Sequence, residues 1–78
     1  MRFTAIPVSK GDAFLFEIEN IKVLVDAGNN QDEVYEWLKK EEILSIDIFI
    51  CTHYDQDHIN GLIGLLKNKI QMNEIWVP

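Results

Sequence analysis

Four residues able to ligate a metal ion, His53, Asp55, Asp57 and His58, fall within six consecutive positions. Both histidines of the chain are among them. A neutral imidazole offers a nitrogen donor and a carboxylate a hard oxygen donor, a combination suited to zinc, manganese or iron. His53 and Asp55 are separated by one residue, which in an extended segment puts both side chains on the same side. Asp57 and His58 are adjacent and can point apart, so each can serve a different ion of a pair. Two ions roughly 3.5–4 Å apart are a common hydrolytic arrangement, activating a water and neutralising the developing oxyanion. An Asp-His pair alone is more often a helix cap beside a surface histidine. The added His53 and Asp55, at the carboxyl end of an apolar run, turn the reading toward a ligand cluster.

The elements around this loop must hold it. Ile46 to Cys51 reads as a strand whose β-branched residues suit an interior position in a sheet. Asp57 or His58 begins a helix with Leu62, Leu65 and Leu66 as its inner stripe, and its N-terminus adds positive potential beside the loop. Gly61 and Gly64 each lower helix propensity by roughly 1 kcal/mol. Three apart on one face, they predict a close approach of a neighbouring backbone. Upstream, Arg2 to Val8 forms a first strand at an edge or ending near Pro7, which lacks an amide donor. After a turn at Ser9 to Asp12, Ala13 to Ile18 and Ile21 to Asp26 form a hairpin through Glu19-Asn20. Asp26-Ala27-Gly28 then turns into a helix with Asn30 as N-cap and Glu33 completing a capping box. Val34, Trp37, Leu38 and Glu41 follow the helical period, with Trp37 and Leu38 facing inward, and this helix ends near Glu42. Glu74 to Val77 is a last short strand. Strands and helices in this order predict an α/β fold.

Seventy-eight residues hold one small domain with a thin core margin, of a size that usually needs a staple, a metal or a partner. Thirteen acidic against seven basic residues give a net charge of −6. That balance disfavours nucleic acid or anionic membrane held through a broad basic face. A phosphate-bearing substrate held by metal ions remains compatible with it. No apolar run is long enough to span a membrane and no signal segment opens the chain, and the single Cys51 cannot form an internal disulfide, so the expected location is cytoplasmic. Val23-Leu24-Val25 and Ile48-Phe49-Ile50 read as strands covered on both faces. Two helices are too few to provide that cover.

His53-x-Asp55-x-Asp57-His58, preceded by Thr52 and followed by Gly61, resembles the signature loop of the metallo-β-lactamase-fold hydrolases. The usual loop is His-x-His-x-Asp-His; here Asp55 stands at the second histidine. This variant is similar to the loop in the metallo-hydrolase domain of competence-type DNA-uptake proteins. Val23 to Gly28 also resembles the family's hairpin strand ending in Asp-x-Gly. The resemblance implies that residues 1–78 are a partial domain, the N-terminal half of a four-layer αββα sandwich, with a mixed β-sheet and two helices. It further implies a first metal site at His53 and Asp55 and a second at Asp57 and His58. Asp57 would also orient the attacking water. Asp26 would brace the loop from beneath, and Gly28 would let the chain turn. Up to two divalent ions are implied in a complete domain, zinc or manganese or iron, with Asp55 moving preference toward the harder ions.

A typical member carries a third histidine, a bridging aspartate and a final histidine further on, whereas this chain has two histidines. The expected remedy is a C-terminal half, a second copy or a different chain covering the exposed sheet face. Two functions follow. One is a metal-dependent hydrolase domain acting on a phosphodiester or another ester, a small-molecule or phosphodiester substrate, with the chain alone inactive or nearly so. The other is a non-catalytic half-domain that works by association, with at most a structural metal. Cys51 admits a reading as nucleophile with His53 as base, beside that of an inert buried thiol. Trp37 is expected in the core, and Trp76 in the core or as an interface anchor.

Overall fold

The hydrophobic alternation of the first 25 residues and the two later apolar strands build one sheet. The computed structural model describes the backbone of residues 1–53 and 56–78, with the side chains of all of these except 56–58. The elements are β1 (Arg2–Ala5), β2 (Phe14–Ile18), β3 (Ile21–Val25), α1 (Glu33–Lys40), β4 (Ser45–Ile50), α2 (Gln56–Lys67) and β5 (Gln71–Trp76). The strands lie side by side in chain order. β1, β2 and β3 pair antiparallel, joined by the loop at 6–13 and the two-residue turn Glu19-Asn20 with no helix between them. β3, β4 and β5 pair parallel, because a helix intervenes each time. The result is a mixed β-sheet with two helices, the arrangement of an N-terminal portion of the αββα sandwich.

Several boundaries differ from the sequence reading for local reasons. β1 stops at Ala5, two residues before Pro7, and Ile6 still donates its amide to the Ala13 carbonyl at 2.8 Å. α1 begins at Glu33, and the N-cap is Asp32, with no side-chain hydrogen bond of its own. Asn30 does the capping from further back, accepting the amides of Asp32 at 2.7 Å and Glu33 at 3.2 Å. The capping box is not formed, because the Glu33 carboxylate is taken by Ser9, whose amide and hydroxyl reach it at 3.1–3.2 Å. That contact ties α1 to the turn after β1.

Leu15, Leu24 and Phe49 stand in register across β2, β3 and β4 and are fully or almost fully buried. Val34 and Leu38 of α1 and Leu65 of α2 join them in one core, which places both helices on this face of the sheet. Trp37 packs at the margin of the core, only partly buried. Leu66, expected on the inner stripe of α2, is 51% exposed. The glycines explain the displacement. A Cβ on Gly61 would collide with the Ala27 carbonyl, and one on Gly64 with the Gln31 carbonyl. The helix therefore turns Gly61, Gly64 and Leu65 inward, and Leu66 falls outside.

The opposite face of the sheet has no cover among the described residues. Phe14, Val25 and Ile50 form one row across it, and Phe16, Val23 and Ile48 a second. These six are only partly buried. Phe3 lies over the end of both rows, its ring centroid 5.7 Å from that of Phe14 and 4.9 Å from that of Phe16. The two apolar strands read as covered on both sides are thus covered on one. Trp76, at the end of β5, is 52% exposed, and its indole donates to Glu74 at 2.9 Å.

Candidate metal centre

The parallel pairing of β3 and β4 brings two chain segments together at their carboxyl ends, where sites of α/β sheets form. The ladder continues one step past both strands: the Asp26 amide donates to the Ile50 carbonyl at 2.9 Å, and the Cys51 amide to the Trp76 carbonyl at 2.8 Å. Asp26 sits there with φ of 59°, a left-handed conformation that short polar side chains tolerate. Its carboxylate consequently faces the residues following Cys51.

The contacts are specific. Asp26 Oδ1 accepts the Thr52 amide at 2.9 Å. Asp26 Oδ2 accepts the Thr52 hydroxyl. The Thr52 hydroxyl oxygen also lies 2.9 Å from His53 Nδ1. Below them the buried Cys51 thiol donates to the His53 carbonyl oxygen at 2.9 Å. A carboxylate, a hydroxyl and an imidazole thus form one run leading out from the sheet end, and the thiol is directed at main chain.

Two further contacts fix the neighbouring turns. Gly28, with φ of 71°, donates its amide to Asp12 at 3.0 Å and accepts the Gly61 amide at 3.2 Å. A Cβ at Gly28 would press on Val8 at 3.1 Å, so glycine suits both the backbone and the space. The turn before β2, the loop after β3 and the start of α2 therefore meet around Gly28.

Of the ligands expected from sequence, His53 is described, with its side chain exposed. Asp55 lies outside the described residues. Asp57 and His58 belong to the first turn of α2, and their side chains lie outside the described set. Tyr54 is also outside it. Among the described residues no group of three His, Cys, Asp or Glu side chains could hold a metal ion. The donor chemistry nevertheless suits one: an exposed imidazole, oriented through Nδ1, at the entrance to a helix.

The role of Thr52 is not visible in the sequence, although the residue directly precedes His53. Nor is that of Asp47. Its carboxylate accepts the Lys22 amide at 2.7 Å, tying the start of β4 to β3. The signal was slight in both cases: a small polar side chain just past an apolar strand for Thr52, and one within it for Asp47.

Residues 6–72 match the family model of the Metallo-beta-lactamase superfamily. The chain belongs to that superfamily. Microtubule-associated protein 1A of Rattus norvegicus is 31% identical over 64 residues, which are 82% of this chain and 2% of that protein. Hydroxyacylglutathione hydrolase of Haemophilus ducreyi is 33% identical over 66 residues, 83% of this chain and 27% of that enzyme. Among solved structures, a beta-lactamase from Chitinophaga pinensis superposes with a TM-score of 0.65 at 18% identity, over 87% of this chain and 28% of that one. This metallo-beta-lactamase-fold chain spans between 2% and 27% of the length of these two curated relatives. Its mixed sheet and two helices are an N-terminal portion of the superfamily's αββα hydrolase fold. No described helix is long and apolar enough to cross a membrane.

Proposed function

We propose that this chain, residues 1–78, is a half-domain of the metallo-beta-lactamase fold that works by association, its open sheet face closing against a second layer of sheet and helix. One observation carries the reading: two cross-strand rows of apolar side chains, Phe14–Val25–Ile50 and Phe16–Val23–Ile48, lie on the face that neither helix covers. A continuous apolar surface of this kind marks a contact area. Another copy, a different chain or further residues of a longer polypeptide can supply the cover. In this reading the loop at 53–58 holds at most a structural ion.

Sedimentation of the 78-residue chain, with and without a chelator, tests it. The expected result is a defined assembly whose mass the chelator leaves unchanged. A monomer at high concentration would overturn it for this chain by itself.

A second reading, a metal-dependent hydrolase, is favoured by the Asp26–Thr52–His53 contacts at the carboxyl ends of parallel strands. Similarity to hydroxyacylglutathione hydrolase supports the same reading. His53, Asp55, Asp57 and His58 would hold up to two divalent ions, with zinc, manganese and iron all compatible with the donors. When bound, such an ion supplies Lewis acidity that activates water toward a phosphodiester or other ester. Asp57 would orient the water, with Asp26 and Gly28 supporting the loop. Asp55 carries the finer likeness to DNA-uptake hydrolase domains, although the net charge of −6 does not favour nucleic acid. In the complete protein this reading expects bound metal and loss of ester hydrolysis in both Asp57→Ala and His58→Ala. A protein free of metal and unresponsive to added zinc or manganese would exclude it.

A further inference from the structure

We infer that Thr52 is a positioning residue that sets which nitrogen of His53 carries the proton. The reasoning is a count of hydrogens. An ionised carboxylate only accepts hydrogen bonds, and a hydroxyl has one hydrogen to give. Asp26 Oδ1 is occupied by the Thr52 amide, so the hydrogen between Asp26 Oδ2 and Thr52 Oγ1 must be the hydroxyl's. Oγ1 is then left with lone pairs alone toward His53 Nδ1, 2.9 Å away. Two acceptors at that distance would repel, so Nδ1 bears the hydrogen and donates it to Oγ1.

In a neutral ring the remaining nitrogen, Nε2, is then the basic one. Partners of this kind fix both the tautomer and the ring orientation of metal-binding histidines. Asp26 thus acts on His53 through the intervening hydroxyl. Up to this point nothing depends on a metal. The consequence that Nε2 is the atom prepared for a divalent ion rests on the metallo-hydrolase reading above.

Thr52 is exposed, so exchanging its hydroxyl for a methyl leaves the core intact, and its amide still reaches Asp26. The test is the imidazole nitrogen NMR signature of His53 in the full-length, metal-free protein, at a pH where the ring is neutral. Nδ1 is expected to show as the protonated nitrogen and Nε2 as the basic one. Thr52→Val should move the ring toward the Nε2-protonated form, and Thr52→Ser should restore the native signature. Zinc affinity should fall by about 10- to 100-fold in Thr52→Val and return in Thr52→Ser. A native signature with Nε2 protonated would overturn the inference, as would one that Thr52→Val leaves unchanged. Native protein with Nδ1 protonated and no zinc binding would support the role of Thr52 and reject the metallo-hydrolase reading instead.

Discussion

Asp26 accepts both the amide and the hydroxyl of Thr52, at a point where β3 and β4 have already ended. The carboxylate replaces the next step of the parallel ladder with two side-chain acceptor contacts. The segment leading to His53 is therefore held as it leaves the sheet by one residue just past the neighbouring strand. Backbone strain and hydrogen bonding meet in this residue, because Asp26 adopts a left-handed conformation to present its oxygens.

Asp26→Asn separates the two roles. Asparagine tolerates the left-handed conformation as well as aspartate does, so the backbone cost hardly changes. One of the two acceptor oxygens becomes an amide donor, however, and meets either the Thr52 amide or its hydroxyl. Stability to urea should drop by about 1–2 kcal/mol, in the range of a lost charge-assisted hydrogen bond at a partly exposed site. A midpoint within error of the native protein would show that this contact adds nothing to the fold.

Gly61 and Gly64 are predicted to resist the substitution that helix propensity recommends. Alanine gains about 1 kcal/mol over glycine in a helix interior. Here each new methyl would run into a main-chain carbonyl, that of Ala27 or of Gln31, which no side-chain rotation can clear. Overpacking of this kind typically costs about 1–3 kcal/mol and more against backbone. Gly61→Ala and Gly64→Ala should each lower the thermal midpoint; a rise in either would mean that α2 does not press on the loop after β3.

Those same glycines show how far the chain could be read in advance. Their spacing signalled a close approach, and the approach is there. Leucines at helical spacing usually mark the buried side and predict Leu66 inward; the glycine pair instead lets the backbone itself be the packing surface, which turns Leu66 outward. Glu33, three residues after Asn30, predicts a capping box from a local pattern, yet Ser9 from a distant turn takes its carboxylate. The strands are legible because apolar alternation and turn residues act locally, whereas the mixed sheet follows only from the resemblance that the His-Asp loop carries. The role of Thr52 is not legible, because its partner lies 26 residues away and nothing in its immediate neighbours points there.

The Ser9–Glu33 contact can be tested separately. Glu33→Gln keeps the length and much of the helix propensity while removing the charge that draws the Ser9 amide and hydroxyl. The site is exposed or partly so, and the expected loss is below about 1 kcal/mol. The measurable effect is local: amide hydrogen exchange at Ser9 should accelerate while that of β3 and β4 stays unchanged. Uniform acceleration across the sheet would mean that the contact supports the whole fold.

Val23 and Leu24 are neighbours in β3 that face opposite sides of the sheet, and lysine at each should have opposite consequences. Leu24 is fully buried beneath the helices, between Leu15 and Phe49 in register. A lysine there must bury an unpaired charge or expel the helices, and Leu24→Lys should abolish the cooperative thermal transition. Val23 lies between Phe16 and Ile48 on the uncovered face, where the ammonium can reach water as long as nothing is docked. Val23→Lys should therefore retain the far-ultraviolet circular dichroism of the native chain while losing its assembled mass. If Val23→Lys instead unfolds the protein as Leu24→Lys does, folding itself requires the cover. If it assembles as before, the face is not where association occurs.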